Sequence, residues 1–253
     1  VFGLNAGEQK SFKSHIKYLG FKGREEFFME AFGDKGGYGH LDPWVFEDLF
    51  NSDTKTTGDL AGQDGWTAGD ANYTVSTTSP GEGDQNVRYT LDVDTWSKNT
   101  FTAVSTGVVY FWIKASRVDM PAGEGIRVGL YNVNLARLWI EMGNNIIRIG
   151  NTTPGWTTIF TSPSADTWYP IAIEVDAPGD QARGKVYSGG AWGAWSAWNG
   201  MEGTTETLDN IRMNKASSVS APHTASWDGI SPTDPYAVTA VSAPDFYTTI
   251  LLE

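Results

Sequence analysis

Short runs of alternating apolar and polar residues fill the chain from residue 44 onward, and this two-residue period is typical of β-strands. The clearest run is WYPIAIEVD at 168–176, because Ile171, Ile173 and Val175 would all lie on one face. Turn residues separate the runs, and helices do not alternate with them. The predicted strand segments are 45–50, 73–77, 87–93, 100–115, 125–133, 136–141, 146–149, 156–160, 168–176, 184–187, 208–213 and 225–230. We therefore predict an all-β antiparallel sandwich or barrel, in which 100–115 forms one long strand or two.

The N-terminal stretch before residue 45 differs in charge from the rest of the chain. It contains six basic and six acidic residues, so the formal net charge of −12 falls on the remainder. Residues 24–32 (REEFFMEAF) predict a short helix that ends at Gly33, with glutamates in its first turn. A helix this short is marginally stable alone and needs a surface to pack on. We expect residues 1–44 to form a partly helical arm or small adaptor outside the sandwich.

Residues 232–253 follow the last predicted strand and contain Pro235 and Pro244. Their apolar run YTTILL at 247–252 would be an exposed, strand-forming edge if it were left free. We predict an extended C-terminal tail that pairs either with its own sandwich or with a neighbouring protein.

The overall composition excludes several classes of partner and site. A net charge of −12 without a basic stripe disfavours nucleic acid and anionic membranes as partners. No run of about 18 apolar residues is present, so we expect no membrane span. The chain has no cysteine, which excludes disulfides and a zinc–thiolate site, and its 40% hydrophobic residues suffice for a sizeable core.

Several stretches of the predicted sandwich resemble a known superfamily. FEDLFNSDTKTTGDLAGQDGW at 46–66 resembles the opening of concanavalin A-like lectin/glucanase domains, in which an acidic-aromatic strand precedes a Gly-rich turn and an anchoring Trp. The segment 168–176 followed by 184–190 is similar to a laminin-G-type hairpin. LDNIRM at 208–213 and WDGI at 227–230 resemble the closing strands of the same superfamily.

This resemblance covers most of residues 45–231 and implies a jelly-roll β-sandwich over that range. The superfamily includes lectins, glycosidases, lyases, adhesion modules and viral coat parts, so the fold alone does not decide the function.

The N-terminal arm has a second resemblance. LGFKG at 19–23, the predicted helix, and GGYGHLD at 36–42 are similar to paired Gly-aromatic helix units near the ends of some tailed-phage virion proteins. The resemblance implies an extracellular or virion-surface location. It also implies partners that are copies of the chain or other virion or surface proteins, contacted through residues 1–44 and 232–253.

Catalytic patterns of the superfamily are incomplete in this chain. Its glycosidases carry Glu, apolar, Asp, apolar and a second Glu along one strand, whereas Glu174 and Asp176 are followed by Pro178 and no second Glu. A lyase would need a His or Tyr base with Arg and Gln partners, and His223 is the only histidine in the predicted sandwich. We expect the protein not to be an enzyme, although the patterns leave a tyrosine-based lyase open.

Calcium is the cofactor that the resemblance favours, as a structural ion where the first strand meets the last. The matching positions are Glu47 or Asp48 on one side and Asp209 or Asp228 on the other. The alternative is that these residues are ordinary surface or turn-forming acids. Further candidates in the first loop are Asp59, Asp64 and Asp70.

A row of tryptophans is the best candidate for glycan binding. GAWGAWSAWNG at 190–200 places Trp192, Trp195 and Trp198 three residues apart with small neighbours, so that each ring could stack on the C–H face of a sugar. The alternative is that the rings pin a glycine-rich loop against the sandwich. Four other tryptophans are expected in the core: Trp66, Trp139, Trp156 and Trp168, although Trp139 and Trp156 could line a concave sheet.

Taken together, these patterns predict a non-catalytic surface module with structural and binding roles, most simply a phage virion decoration or fibre component or a cell-surface module that recognises glycans. The alternative is a stand-alone, calcium-stabilised carbohydrate-binding protein. A polysaccharide lyase or glycoside hydrolase is the third reading.

Overall fold

The computed structural model describes residues 46–68, 72–90, 95–121, 123–204, 207–215 and 223–236. The described residues contain β-strands and turns and no helix. In chain order the strands are β1 (Gly58–Asp59), β2 (Thr67–Ala68), β3 (Thr74–Ser76), β4 (Asn86–Tyr89), β5 (Thr95–Val104), β6 (Thr106–Ala115), β7 (Ile126–Asn132), β8 (Leu135–Gly143), β9 (Ile146–Asn151), β10 (Gly155–Thr161), β11 (Tyr169–Asp176), β12 (Gln181–Ser188), β13 (Ala191–Trp192), β14 (Asn199–Gly200), β15 (Leu208–Lys215) and β16 (Ala225–Ser231).

The described strands form two antiparallel sheets. One has nine strands in the order β1-β3-β4-β16-β6-β11-β12-β13, with β14 also paired to β12. The other has seven strands in the order β10-β9-β8-β7-β15-β5-β2. The predicted all-β antiparallel sandwich is therefore confirmed.

The core lies between the sheets and is built by the alternation that the sequence predicts. Ile171, Ile173 and Val175 on β11 are buried together, whereas Glu174 and Asp176 on the other face are half-buried. The indole of Trp227 on β16 is buried and donates its N–H to the backbone carbonyl of Arg127 on β7, 3.1 Å away, which ties one sheet to the other. Each sheet thus has one face in the core and one outer face.

The predicted first strand at 45–50 is wrong for its described part. Only Asp48 pairs there, through an isolated antiparallel bridge to Ile230. The Asp48 carboxylate accepts the N–H of Phe50 at 3.0 Å, and Phe50 has a positive φ of 50°. This local turn bends the chain out of the extended conformation before a strand can form.

The long segment 100–115 belongs to two strands that lie in different sheets. The break is at Ser105, where the chain passes from β5 in the seven-stranded sheet to β6 in the nine-stranded sheet. The strands β1, β2, β13 and β14 were not predicted, because two residues are too short for a periodic pattern. The predicted helix at 24–32 and the tail beyond residue 236 lie outside the described residues.

Candidate functional site

The outer face of the seven-stranded sheet carries a transverse row of charged and aromatic side chains. Strand register places Arg148 of β9 opposite Glu141 of β8, and Glu141 opposite Arg127 of β7. The same row continues through Asn214 of β15 to Trp96 of β5. These residues lie far apart in the sequence, so only the pairing of five strands brings them into one line.

Glu141 holds the two arginines of this row in place. It is fully buried, with 0% exposure. Its Oε1 accepts hydrogen bonds from Arg148 Nη2 at 2.6 Å and from the Gly123 N–H at 3.2 Å, and its Oε2 accepts one from Arg127 Nε at 2.7 Å. The two guanidiniums and the backbone N–H compensate for the cost of burying the carboxylate. Within the described residues, Nη1 of each guanidinium donates to no protein atom, so both retain donors for a ligand.

A second row runs beside the first and alternates tryptophan with glycine. Trp156 of β10 lies opposite Gly150 of β9, which lies opposite Trp139 of β8, which lies opposite Gly129 of β7. A Cβ at Gly129 would approach the Trp139 ring to 2.5 Å, so the absence of a side chain there makes room for the indole. Arg148 Cζ lies 4.2 Å from the centre of the Trp156 ring. The row therefore presents indoles beside guanidiniums.

The second row ends in two cations that have no acidic partner among the described residues. Gly129 lies opposite Arg212 of β15, and Arg212 lies opposite Lys98 of β5. Arg212 Cζ lies 3.9 Å over the Tyr131 ring, and Arg212 Nη2 donates to Asn134 Oδ1 at 3.1 Å. Strand register thus aligns four cations, Lys98, Arg127, Arg148 and Arg212, with the carboxylate of Glu141 in these two rows, whereas the chain as a whole carries −12.

We define the anion face as Trp96, Lys98, Arg127, Trp139, Glu141, Arg148, Trp156 and Arg212. Sequence reasoning missed its cations. It favoured the core for Trp139 and Trp156, which is wrong, and left a position on a sheet face as the alternative; both are half-buried on the outer face. A usable signal existed: Trp139 alternates with the buried Leu138 and Ile140, which assigns it to the opposite side of β8. The cross-strand neighbours that complete the face could not be read from any local pattern.

The predicted tryptophan row lies on the other sheet, along β12. Residues 191–200 run antiparallel to β12, because Gly193 N–H donates to Val186 O and Ser196 N–H donates to Gly184 O, both at 2.9 Å. Three residues of this segment span two residues of β12 between these bonds. Each tryptophan therefore falls beside an outward-pointing side chain of the strand.

The result is a ladder of alternating rings and cations. Arg183 Cζ lies 4.6 Å from the Trp198 ring and 5.1 Å from the Trp195 ring. Lys185 Nζ lies 4.5 Å from Trp195 and 4.8 Å from Trp192. Each ring thus has at least one cation near it, Trp195 has two, and Trp198 is the most exposed of the three at 40%. Glycan binding by Trp192, Trp195 and Trp198 stays a prediction, and the ladder also explains the row as a structural clamp.

Two more expectations concern single residues. Trp66 is fully buried, as predicted, but Trp168 is half-buried at the surface, where its N–H donates to Ser79 O at 2.9 Å. Glu174 accepts a 2.6 Å hydrogen bond from Arg183 Nε, and Asp176 accepts one from Gln181 Nε2 at 2.9 Å. Both acids are half-buried on the outer face of β11, and each accepts a hydrogen bond from a side chain of β12.

The structure separates the four acids that were predicted as calcium ligands. Asp209 lies on β15 of the seven-stranded sheet, where its Oδ1 accepts the N–H of Val133 at 2.8 Å. Asp48 and Asp228 are associated with the nine-stranded sheet instead, because Asp48 bridges to Ile230 of β16 and Asp228 is part of β16. Glu47, next to Asp48, accepts a 2.7 Å hydrogen bond from Ser231 Oγ of the same strand.

Asp228 is a buried carboxyl group with a raised pKa. It is fully buried and accepts backbone N–H bonds from Gly81 at 2.7 Å, Glu82 at 2.9 Å and Gly229 at 2.9 Å. Burial raises the pKa of Asp228 to about 7 against these hydrogen bonds, and the neighbouring Glu82 carboxylate adds to the rise. Burial, followed by repulsion from Glu47, also raises the pKa of Glu82.

The four predicted calcium ligands are all engaged within the protein. Glu47, Asp48, Asp209 and Asp228 each accept hydrogen bonds from the protein. In the part of the chain that the structure describes, no three His, Cys, Asp or Glu residues are placed to hold a metal ion. Calcium binding therefore stays a prediction.

The described residues also include no helix with the length and apolarity needed to cross a membrane.

Comparison with known proteins identifies the fold. No protein-family model and no curated protein matches the sequence. A sialidase structure matches with a TM-score of 0.53 and 14% identity, over 74% of this chain and 18% of the sialidase chain. Lectin II from Ulex europaeus has a TM-score of 0.47 and 10% identity, over 68% of this chain and 94% of the lectin. The cellulose induced protein Cip1 has a TM-score of 0.47 and 12% identity, over 74% of this chain and 96% of the Cip1 chain.

At these identities the likeness concerns the fold alone, and the chain spans less than a fifth of the sialidase. The resemblance of the arm to phage proteins rests on residues 1–44, which lie outside the described residues. The order of the strands, the two antiparallel sheets and the match to the sialidase agree with the resemblance seen in the sequence. The protein has an antiparallel jelly-roll β-sandwich fold, and part of the sialidase chain shares that fold.

Proposed function

We propose that the protein is a non-catalytic surface module that recognises an acidic glycan across the anion face. The observation that carries this proposal is the pair of arginines, Arg127 and Arg148, fixed by the buried Glu141 beside Trp139 and Trp156. A guanidinium with free N–H groups binds carboxylate or sulfate groups, and an indole packs against the C–H face of a sugar ring.

The extent of the anion face suits a chain of sugars. From Lys98 on β5 to Arg148 on β9 there are four strand spacings of about 4.8 Å, or roughly 19 Å in all. Cations at both ends of this distance favour a ligand that carries more than one negative group. The excess of positive charge on an otherwise acidic protein favours an anion over a neutral polymer.

The described residues give little support to catalysis on this face. Both oxygens of Glu141 are engaged by donors, so this carboxylate is poorly placed to take a proton from a substrate. His223, the only histidine among the described residues, is buried and lies beside β16 of the nine-stranded sheet. Without a free acid–base pair the face is suited to binding alone.

The proposal also includes a role in a larger assembly. Residues 1–44 and 232–253 are the segments that we expect to contact copies of the chain or other virion or surface proteins. Of these, only residues 232–236 are among the described residues. The mass of the full chain in solution, or in its native particle, tests this part. A full-length monomer that is present in no particle would overturn it.

Binding to matched polysaccharides tests the proposed ligand class. Titration calorimetry would compare a uronate polymer, a sulfated polymer and a neutral polymer against the wild type and Arg212→Gln. We expect the acidic polymers to bind, the affinity to fall with added salt, and Arg212→Gln to weaken binding roughly tenfold or more. The matched control is Arg117→Gln, which removes an exposed arginine paired to Asp119.

Three results would contradict the proposal or one of its parts. Equal loss of affinity in Arg212→Gln and Arg117→Gln would show that only the overall charge matters. Stronger binding of the neutral polymer would contradict the proposal that the ligand is acidic. Shortening of the acidic polymer during incubation would reject the non-catalytic part, because it would reveal a lyase or hydrolase.

Calcium is a separate part of the proposal and has its own test. A ligand that binds only the folded protein raises its melting temperature. We would compare melting in calcium with melting in a chelator, for the wild type and Asp228→Asn. A calcium-dependent rise that the variant lacks supports a site at the Glu47–Asp228 junction, and equal melting temperatures overturn it.

A further inference from the structure

A pocket on the outer face of the nine-stranded sheet has aromatic walls and lies next to Trp192. Its walls include Trp112 of β6, Trp168, Tyr187 of β12 and Tyr236. It is on the opposite sheet from the anion face, and no part of the proposed function uses it. Half of its lining residues are aromatic and a few polar groups lie among them, which is typical of a small-molecule site.

Contacts among the aromatic residues hold the walls of this pocket. The rings of Tyr187 and Tyr236 are stacked with centres 3.8 Å apart and planes 7° from parallel. The Tyr236 ring lies 6.5 Å from that of Trp112. Trp168 is fixed by its hydrogen bond to Ser79 and by Lys114 Nζ, which lies 4.5 Å from its ring centre. A wall held in this way loses little freedom when a ligand binds.

The pocket also offers hydrogen-bonding groups that the protein leaves unused. Trp112 is only 2% exposed, yet its indole N–H donates to no described residue. The hydroxyls of Tyr187 and Tyr236 have no hydrogen-bonding partner among the described residues either, and the exposed Ser188 adds another at the rim. A ligand that fits must therefore bring several hydrogen-bonding groups together with an apolar face.

The charge of the pocket narrows the class of ligand further. None of the residues that line it is Asp, Glu, Lys, Arg or His. A charged ligand would lose its hydration here without gaining an opposite charge, which is unfavourable. A pyranose ring meets the remaining requirements, because it has hydroxyls around its edge and C–H groups on its faces.

We propose that this pocket binds one uncharged hexopyranose unit, stacked on the aromatic wall and hydrogen-bonded to the Trp112 indole and the tyrosine hydroxyls. The sandwich then has two glycan sites on opposite sheets, one for an acidic chain and one for a neutral ring. The second site does not depend on the first, so each can fail without the other.

Indole N–H signals in NMR spectra of the full chain provide the test. Methyl glycosides of glucose, galactose and mannose, and neutral disaccharides of these sugars, would be added to the wild type. We expect a saturable shift of the Trp112 indole signal with at least one of them, identified by its loss in Trp112→Phe. Tyr187→Ala should weaken binding about tenfold, because it removes the stacking ring.

Further variants keep the proposal falsifiable if Tyr187→Ala does not fold. Tyr187→Phe retains the ring and loses only a hydroxyl, so a smaller loss of affinity is expected. Ser188→Trp adds a bulky group at an exposed position on the rim and should block binding. Arg212→Gln, on the other sheet, should leave the shift unchanged. The proposal is overturned if no neutral sugar gives a saturable shift, if folded Ser188→Trp binds as well as the wild type, or if Arg212→Gln abolishes the shift.

Discussion

The indole N–H of Trp66 donates to the carboxylate of Asp48 over 2.6 Å, and both side chains are buried. The same carboxylate oxygen lies 2.9 Å from Lys55 Nζ, whose side chain is 1% exposed. Through its backbone, Asp48 also pairs with Ile230 of β16. One acidic residue therefore anchors the described N-terminal end of the sandwich to its last strand and to a core tryptophan.

We expect Asp48→Ala to lower the free energy of unfolding by about 3–5 kcal/mol, because it leaves the ammonium of Lys55 buried without its buried partner and with only the exposed Asp64 beside it. Denaturant unfolding measures this. Asp64→Ala is the matched control, since Asp64 contacts the same ammonium at 2.7 Å but is 56% exposed, and such pairs contribute about 0–1 kcal/mol. Equal effects of the two variants would contradict the anchoring role.

The raised pKa of Asp228 predicts that stability depends on pH in metal-free buffer. Burial raises this pKa from 3.8 to about 7, so between these values the folded protein binds more protons than the unfolded chain. The free energy of unfolding should therefore fall as pH rises from about 4 to about 7, by roughly 4 kcal/mol at most from this group, and the contribution should be flat above that range. Urea unfolding across the range measures the slope.

Asp228→Asn isolates this contribution, because an amide does not titrate. The variant has a constant cost, since its NH₂ group cannot accept the Gly229 N–H bond. The difference between wild type and variant should still fall over the same pH interval. A difference that is constant with pH would show that the folded-state pKa of Asp228 is ordinary.

A glycine should control the geometry of the anion face. In Gly129→Ala the new Cβ would approach the Trp139 ring to 2.5 Å and the Tyr131 ring to 2.7 Å, so both rings must move. We expect a loss of about 1–3 kcal/mol in stability and weaker binding of acidic polysaccharide. Gly193→Ala is the comparison, because its nearest contact would be 3.3 Å from a carbonyl oxygen. Full affinity in folded Gly129→Ala would remove Trp139 from the proposed site.

Local periodicity was sufficient to predict an all-β antiparallel sandwich or barrel, and the resemblance to a known superfamily favoured the sandwich. Ile171, Ile173 and Val175 alternate with polar or small residues in the sequence and form the buried face of β11, because one side of each sheet must exclude water. The first predicted strand failed at Asp48, whose side chain competes for the backbone N–H that a strand would use. Local propensity cannot show such a competition before the partner strand is known.

The candidate site was much less predictable than the fold. Arg127, Glu141, Arg148 and Arg212 lie on four strands, and their proximity is set by register over the whole sheet. The three tryptophans at 192–198 were noticeable because they are close in sequence. Their cationic partners Arg183 and Lys185 are on the preceding strand, β12. Three residues of the tryptophan segment span two residues of β12, so the two segments do not pair in a regular strand register.

The ladder on β12 gives the last prediction, because it separates a structural clamp from a binding platform. Arg183→Ala removes the cation between Trp195 and Trp198, and we expect faster hydrogen exchange at the Ser196 N–H and a stability loss of about 1–2 kcal/mol. Arg183→Lys keeps the charge but cannot stack a planar group on both rings, so an intermediate rate is expected. Exchange that is unchanged in both variants would contradict the clamp. Trp198→Ala tests the binding platform instead. Loss of glycan-array signal with normal exchange at Ser196 would show that the most exposed ring binds sugar. An unchanged signal with faster exchange would assign this ring to the clamp alone.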